Sequence, residues 1–261
     1  MEQVFSYGSA NSEKLRHSFN EFSVIQINNI FPDQFCKEVV DHIEDNESKI
    51  IEQYKNDKRG LVVEEVNKAR YIKYFDKPLT YNFNLFKGFI SSKILKLSSD
   101  LLGEEVYLNA FELHSRYAHA SEIPAHQDNA YFGLKSAKSI TFYISLNEQY
   151  GNKGGLIYYK IPISTTMEHS ASEKPGFSLT IKNKSDYEKL DLFNPQLGAG
   201  DCTIHHSTSI HFAKQVPRNA GRVLVVRLSF HAIMDSVKDG HSEWYRKMVE
   251  LNRNKLHKSS F

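Results

Sequence analysis

The sequence predicts a mainly β fold with flanking helices, in which an antiparallel sandwich or barrel has helices on either side of it in the chain. Between about residues 105 and 233, short β-branched and aromatic segments alternate with Gly, Asn and Pro, which is typical of antiparallel strands. Before and after this region, apolar residues recur at helical spacing instead. We expect one domain, with an N-terminal strand and helices in 1–104, the β core in 105–233 and a C-terminal helix in 234–261.

The N-terminal region is predicted to contain a strand followed by two helices. Residues 22–31, FSVIQINNIF, are typical of a short strand, and Pro32 suits the first turn of the helix that follows. A second helix is expected over 84–103, where apolar residues follow a 3.6-residue period and Gly103 provides a stop. We interpret residues 54–81 as a solvated edge segment rather than a lid.

The β core is predicted from five segments that share short length and β-branched or aromatic character. They are EVYLNAFELHSRY (105–117), SITFYISL (139–146), GGLIYYKI (154–161), DCTIHH (201–206) and RVLVVRLSFHAI (222–233). A polar insertion over 162–195 is expected to be a surface loop with some strand. Residues 239–255 have the pattern of an amphipathic helix that carries Trp244, Met248 and Leu251.

Composition limits the classes of partner. Lys and Arg number 33 and Asp and Glu 31, so the net charge of +2 disfavours nucleic acid or an anionic membrane as partner. No apolar run reaches the roughly 18 residues of a membrane span. The polar N-terminus predicts no secretory signal, and two distant cysteines, Cys36 and Cys202, predict neither a disulfide framework nor a zinc site. We expect a cytoplasmic protein that acts on a small molecule.

Two short motifs carry candidate metal ligands. His126 and Asp128 stand one residue apart in PAHQDNAYF, which alone is weak evidence, and GDCTIHHSTSIH supplies His205, His206 and His211. His, Asp and a distant His on a β scaffold match a 2-His-1-carboxylate triad, which leaves three positions of an octahedron open. This arrangement suits Fe(II) that binds a chelating cosubstrate and O₂ together.

Arg222 begins the last predicted strand and is a candidate anion-binding residue. Side chains alternate along a strand, so an inward Arg222 shares its face with apolar residues only (Leu224, Val226, Leu228 and Phe230), whereas the other face is mixed (Arg227, Ser229 and His231). Arg222 would then be a cation at the mouth of an apolar barrel interior, where it needs an anion because an unpaired buried charge is costly. Its partner there would be a protein carboxylate or a bound anionic cosubstrate.

In these motifs the sequence resembles the phytanoyl-CoA dioxygenase family of Fe(II)- and 2-oxoglutarate-dependent oxygenases. The matching residues are HQD at 126–128, G-D-x4-H-x4-H at 200–211, and Arg222, eleven residues after the last histidine. The strand–helix start and the segment NKGGLIYY are also similar to the family. The resemblance covers about residues 22–233 and implies a double-stranded β-helix, or jelly-roll and cupin-like, core with N-terminal helices packed on one sheet.

The resemblance also implies the roles of individual residues. It assigns the iron ligands to His126, Asp128 and His211, and the partner of the 2-oxoglutarate C5 carboxylate to Arg222. Weaker candidates for cosubstrate contacts are Gln127, Asn109 and Thr141, and His206 matches a histidine that is not a ligand. The remaining histidines are interpreted as surface or structural residues: His114, His119, His169, His205, His231, His241 and His257.

The implied activity is hydroxylation of an unactivated C–H bond in a metabolite, with release of succinate and CO₂. The implied cofactors are Fe(II), 2-oxoglutarate and O₂, with ascorbate as a candidate reductant. Asp128 favours hydroxylation over halogenation, since related halogenases replace this carboxylate. The alternatives are desaturation, cyclisation or demethylation at the same centre, a cupin-type metal isomerase or hydrolase, and an inactive relative that binds a ligand or partner.

Overall fold

A computed structural model of the chain describes residues 2–8, 11–66, 68–174 and 177–258. Its helices are α1 (Ser12–Phe22), α2 (Asp33–Tyr54), α3 (Pro78–Tyr81), α4 (Phe83–Phe86), α5 (Ser92–Leu102), α6 (Asn129–Phe132) and α7 (His241–Lys258). Its strands are β1 (Val4–Ser6), β2 (Val24–Asn28), β3 (Leu61–Val66), β4 (Ala69–Phe75), β5 (Val106–Arg116), β6 (Ile123–His126), β7 (Ser139–Ser145), β8 (Gln149–Tyr150), β9 (Ile157–Tyr159), β10 (His169–Lys174), β11 (Phe177–Ile181), β12 (Leu192–Phe193), β13 (Gln196–Leu197), β14 (Cys202–His206), β15 (His211–Ala213) and β16 (Val223–Ala232). In this part of the chain, no helix combines the length and apolarity needed to cross a membrane.

Two sheets form the β core. The larger has eight strands in the order β1-β2-β14-β7-β16-β5-β4-β3, and the smaller has four in the order β12-β9-β15-β6. Except for β1 and β2, neighbouring strands in both sheets are antiparallel. An apolar cluster joins residues of both sheets, among them Tyr143 and Val225 of the larger and Tyr158 and Ala213 of the smaller. The predicted jelly-roll core with flanking helices is confirmed.

The outer face of the larger sheet packs against the N-terminal helices. Leu224 and Phe230 of β16 are fully buried in the same apolar cluster as Val39 and Ile43 of α2. The apolar face of β16 therefore faces helices, and the mixed face looks into the space between the two sheets. This is the reverse of the orientation predicted for this strand.

Several element boundaries differ from those predicted. The expected helix over 84–103 is split between α4, a short 3₁₀ turn and α5, because the Ser91 hydroxyl accepts a hydrogen bond from the backbone N–H of Ile94 and caps a new helix there. Gly103 ends α5 in the left-handed conformation, as predicted. Residues 54–81 contain the β3–β4 hairpin at the edge of the larger sheet, which agrees with an edge segment.

Candidate metal centre

The structure brings the three predicted ligands together. His126 ends β6, Asp128 lies just before α6, and His211 begins β15, directly opposite His126 in the antiparallel pairing of these strands. All three residues are buried, and one ligand atom from each lies within 4.8 Å of the others. Strand pairing therefore fixes the two imidazoles, and the turn after β6 adds the carboxylate.

Main-chain carbonyls orient both imidazole rings. Nδ1 of His126 lies 2.8 Å from the carbonyl oxygen of Pro124, and Nδ1 of His211 lies 3.1 Å from that of Ser209. A carbonyl only accepts, so each Nδ1 carries the proton and each Nε2 presents a lone pair. The Nε2 atoms lie 3.8 and 3.7 Å from Oδ1 of Asp128. Burial lowers the pKa of both histidines, which favours the neutral form that binds a metal.

The two oxygens of Asp128 have different surroundings. Three groups contact Oδ2: the hydroxyl of Thr141 at 3.0 Å, Nε2 of His205 at 3.3 Å and Nη2 of Arg227 at 2.9 Å. Burial acts to raise the pKa of Asp128, but the Arg227 guanidinium and the hydrogen bond from His205 hold it well below its usual value. The carboxylate is therefore ionised, with Oδ2 occupied by donors and Oδ1 facing the two imidazoles.

This donor set fits a non-haem iron ion. Two neutral imidazole nitrogens and one carboxylate oxygen are the ligands of the facial triad that leaves positions open on Fe(II). Each ligand has its own hydrogen-bond partner behind it, as metal ligands in proteins usually do. His126, Asp128 and His211 would hold the ion, and Thr141, a predicted cosubstrate contact, lies here as a partner of Asp128.

Arg222 is not at this centre. Its Nη2 and Nη1 atoms lie 2.7 and 3.2 Å from the Glu47 carboxylate of α2, and its guanidinium stacks on the Tyr117 ring. The predicted inward orientation of Arg222 is therefore wrong, because its side chain lies on the outer face of the larger sheet, where it meets α2. Arg222 instead forms an ion pair with a protein carboxylate, that of Glu47, which was the other partner expected for it.

Arg227 and His205 are the residues at the centre that the sequence analysis missed. Arg227 lies on the inner face of β16 and bridges Asp128 and Glu112 of β5, with 2.7 Å between its Nη1 and Oε2 of Glu112. His205, interpreted as surface or structural, is buried between Asp128 and the Tyr158 hydroxyl. The sequence did contain one indication of Arg227, because the β16 face that carries it also carries the polar residues Ser229 and His231.

Gln127 and Asn109 do not point to the centre. The Gln127 amide donates hydrogen bonds to the carbonyl oxygens of Thr165 and Thr208, and its Oε1 accepts one from the N–H of Met167. Asn109 is exposed, at a break in the β5–β16 register. Gln127 therefore fixes the segment 165–167 to the metal-binding strand. The side chain of His257 lies outside the described residues.

A second arginine lies inside the barrel, at the end of β5. Arg116 is buried, and its guanidinium donates to the main-chain carbonyls of Gly154, Ser121 and Lys214 at 2.6 to 2.9 Å. It pairs in register with Val223, a member of the apolar cluster between the two sheets. No carboxylate in the described part of the chain forms an ion pair with Arg116, unlike Arg222 and Arg227.

A cavity of about 400 Å³ adjoins α6. Its walls include Asn129, Met167, Lys238 and Trp244, from α6, the segment that Gln127 holds, and the region around the start of α7. The cavity therefore begins one residue after the ligand Asp128. Its lining combines an aromatic ring, an amide and a cation.

No protein-family model and no curated protein matches the chain. EctD from S. alaskensis with bound Fe superposes with a TM-score of 0.68 at 13% identity, over 88% of this chain and 80% of that one. SnoN, a non-heme alpha ketoglutarate dependent epimerase from nogalamycin biosynthesis, gives 0.65 at 14% identity over 87% and 85%. The chain shares the fold of these iron enzymes.

A third structure extends the range of reactions found on this fold. SnoK, a non-heme alpha ketoglutarate dependent carbocyclase, superposes with a TM-score of 0.65 at 13% identity, over 90% of this chain and 93% of that one. SnoN has been solved with Fe³⁺, alpha ketoglutarate and nogalamycin RO, and EctD with 2-oxoglutarate and 5-hydroxyectoine. At these identities the likeness establishes the fold and does not establish the reaction, which depends on the residues of the site.

Proposed function

We propose that this protein is an Fe(II)- and 2-oxoglutarate-dependent dioxygenase that hydroxylates a C–H bond of a small-molecule metabolite and releases succinate and CO₂. The observation that carries the proposal is the buried triad of His126, Asp128 and His211, whose ligand atoms converge within 4.8 Å. A cupin-type isomerase could use the same ligands. The shared fold with alpha ketoglutarate dependent enzymes favours a 2-oxoglutarate-dependent reaction over that isomerase.

The residues of the centre have separable tasks. Bound iron would supply O₂ activation and C–H oxidation, chemistry that protein side chains lack. The carbonyl oxygens of Pro124 and Ser209 hold the imidazoles in the tautomer that binds a metal. Thr141 and Arg227 hold one oxygen of Asp128, while the apolar cluster around Tyr158 keeps bulk water from the barrel interior.

For the distal carboxylate of 2-oxoglutarate we propose Arg116 as the partner. Arg227 already bonds two carboxylates, and Arg222 pairs with Glu47 on the outer face. Arg116 is a buried inner cation whose partners, within the described part of the chain, are neutral carbonyls. Since a buried charge is stabilised by an opposite charge, an anionic cosubstrate suits this arginine best.

The reaction outcome has a second candidate. Epimerisation or ring closure through the same centre is favoured by the likeness to SnoN and SnoK, which share the fold but are an epimerase and a carbocyclase. We propose hydroxylation first because EctD, which shares the fold, was solved with 2-oxoglutarate and 5-hydroxyectoine, and the carboxylate ligand Asp128 favours hydroxylation over halogenation. The cavity beside α6 is our candidate substrate site.

Two free, buried cysteines, Cys36 and Cys202, fit a reducing compartment, and we propose a cytoplasmic enzyme of one domain.

The test begins with protein prepared without oxygen and loaded with Fe(II). We expect a weak visible charge-transfer band when 2-oxoglutarate is added to the wild type, and no band in Asp128→Ala or His126→Ala. Admission of O₂ should then give succinate from the wild type only. If fully iron-loaded protein gives neither the band nor succinate, the proposed oxygenase function is contradicted and the cupin-type isomerase becomes the favoured function.

A further inference from the structure

Arg227 joins the metal centre to a second acidic residue. We propose that Arg227, anchored by Glu112, is a positioning residue that confines Asp128 to one-oxygen coordination of the metal. The proposal rests on the proposed iron site. It concerns how many coordination positions stay open, rather than whether a metal binds.

Both terminal nitrogens of the Arg227 guanidinium are held by carboxylates. Nη2 lies 2.9 Å from Oδ2 of Asp128 and Nη1 lies 2.7 Å from Oε2 of Glu112. Glu112 is itself held on both oxygens, by the Tyr74 hydroxyl at 3.2 Å and by Nε2 of His114 at 3.0 Å. The guanidinium therefore has little freedom to follow Asp128 if the carboxylate rotates.

The position of Arg227 decides which oxygen can reach a metal. An ionised carboxylate can bind a metal through one oxygen or through both. Two-oxygen binding would need Oδ2, which already accepts the charge-assisted bond from Arg227 and the bonds from Thr141 and His205. Breaking the Arg227 contact would also leave a buried guanidinium with one carboxylate instead of two. One-oxygen binding is therefore favoured.

Open positions are what the proposed chemistry requires. Three protein ligands on a six-coordinate ion leave three positions, which a chelating 2-oxo acid and O₂ together fill. If Asp128 took two positions, the chelate and O₂ could not bind at once. Arg227 would thus act on the reaction through Asp128, without contact to the reacting atoms.

The test counts exchangeable waters on bound Mn(II) by water-proton relaxation, a readout that needs no turnover. In Arg227→Gln we expect bound Mn(II) to lose about one of its three waters, which lowers the relaxivity per bound ion by about a third. Arg227→Lys, which keeps a charged donor, should restore most of the wild-type value. Glu112→Gln weakens the ion pair that holds Arg227 and should give an intermediate relaxivity. This variant replaces Arg227→Gln as the test if Arg227→Gln does not fold.

The matched control is the double variant Glu47→Gln/Arg222→Gln, which removes the arginine–glutamate pair on the outer face of the same sheet. Its relaxivity per bound ion should equal that of the wild type. Wild-type relaxivity in both folded Arg227→Gln and Glu112→Gln would overturn the proposal. A wild type that fails to bind Mn(II) or Fe(II) would instead contradict the proposed function, so the two failures are distinguishable.

Discussion

At the scale of single residues, the guanidinium of Arg116 has carbonyl oxygens as its partners among the residues that the structure describes. If this arginine receives the distal carboxylate of 2-oxoglutarate, Arg116→Lys loses the two-pronged contact but keeps the charge. We expect the Kd of 2-oxoglutarate for the Fe(II)-loaded protein to rise about tenfold, with the Kd of the metal unchanged. Anaerobic calorimetry measures both constants.

Arg222→Lys is the control for that experiment. It makes the same chemical change in an arginine that pairs with Glu47 on the outer face, so its Kd for 2-oxoglutarate should match that of the wild type. If Arg222→Lys weakens cosubstrate binding and Arg116→Lys does not, the role that the family resemblance implies for Arg222 is correct, and our assignment to Arg116 is not.

His206 gives the fold a pH dependence of its own. Burial lowers its pKa to about 4, and its Nδ1 accepts a hydrogen bond from the N–H of Thr208. The unfolded chain protonates this histidine near pH 6.5, whereas the folded chain does so only near pH 4. The contribution of His206 to the free energy of unfolding is therefore complete above about pH 6.5 and is lost as pH falls towards 4. We expect His206→Gln, which keeps an acceptor, to reduce the change in unfolding free energy between pH 7 and 5, while buried His126 and His211, whose pKa values are also lowered, still contribute to it.

Urea unfolding at the two pH values measures the effect, which for one group is at most about 1.4 kcal/mol per pH unit. His17→Gln on α1 is the control, because it makes the same replacement in a histidine whose side chain is 66% exposed. Equal slopes for His206→Gln and the wild type would show that another buried group sets the acid sensitivity.

Residue types indicated His126, Asp128 and a distant histidine, and the family resemblance selected His211, but neither identified the arginine at the centre. The HQD motif and a distal histidine were predictable because metal ligands need particular side chains at particular spacing. Arg222 and Arg227 are five residues apart and so lie on opposite faces of one strand. Both faces are buried here, one by helices and one by the smaller sheet, so apolarity could not tell which face is the barrel interior.

At the scale of elements, Gly200 fixes the turn that enters β14. Its φ is +81°, its N–H donates to the carbonyl oxygen of Ser145, and its own carbonyl accepts from the N–H of Phe31. A Cβ there would press on the Phe31 carbonyl oxygen far inside van der Waals contact. We expect Gly200→Ala to lower the free energy of unfolding by more than the roughly 1 to 2 kcal/mol of left-handed strain alone.

Gly103→Ala isolates the strain term. Gly103 has a similar φ of +72°, but a Cβ there would meet nothing within 4 Å. Urea unfolding should therefore show a loss of about 1 to 2 kcal/mol in Gly103→Ala and a larger one in Gly200→Ala. Equal losses in the two variants would mean that the backbone at Phe31 moves away from the new Cβ without any further loss of unfolding free energy.

Element prediction failed where local polar contacts or polar composition outweighed the apolar pattern. The 3.6-residue period continues through 84–103, but the Ser91 cap divides the helix, and a hydroxyl at this point is compatible with either outcome. The first helix, α1, was not predicted because its sequence is mostly polar, with only Leu15 and Phe19 as buried apolar residues. Its stability depends on packing that the segment alone does not reveal.

At the scale of the whole molecule, the pair of Arg222 and Glu47 connects the helical layer to the larger sheet. Both side chains are 9% exposed, and Glu47 also accepts a hydrogen bond from the N–H of Ile72 in β4. A buried pair of this kind costs solvation when it forms, yet removal of one partner leaves the other charge without compensation. The pair should therefore be sensitive to single substitutions and tolerant of a joint one.

We expect Arg222→Met and Glu47→Leu each to lower the free energy of unfolding by about 3 to 5 kcal/mol, because each leaves a buried charge behind. The double variant should lose much less than the sum, since it leaves no buried charge and keeps most of the apolar volume. Urea unfolding of the four proteins gives the coupling, and Mn(II) affinity should stay at the wild-type value in every variant that folds. Additive losses would mean that the two residues stabilise the fold independently. Weakened metal binding would mean that the helical layer, through this pair, also supports the metal centre on the other side of the sheet.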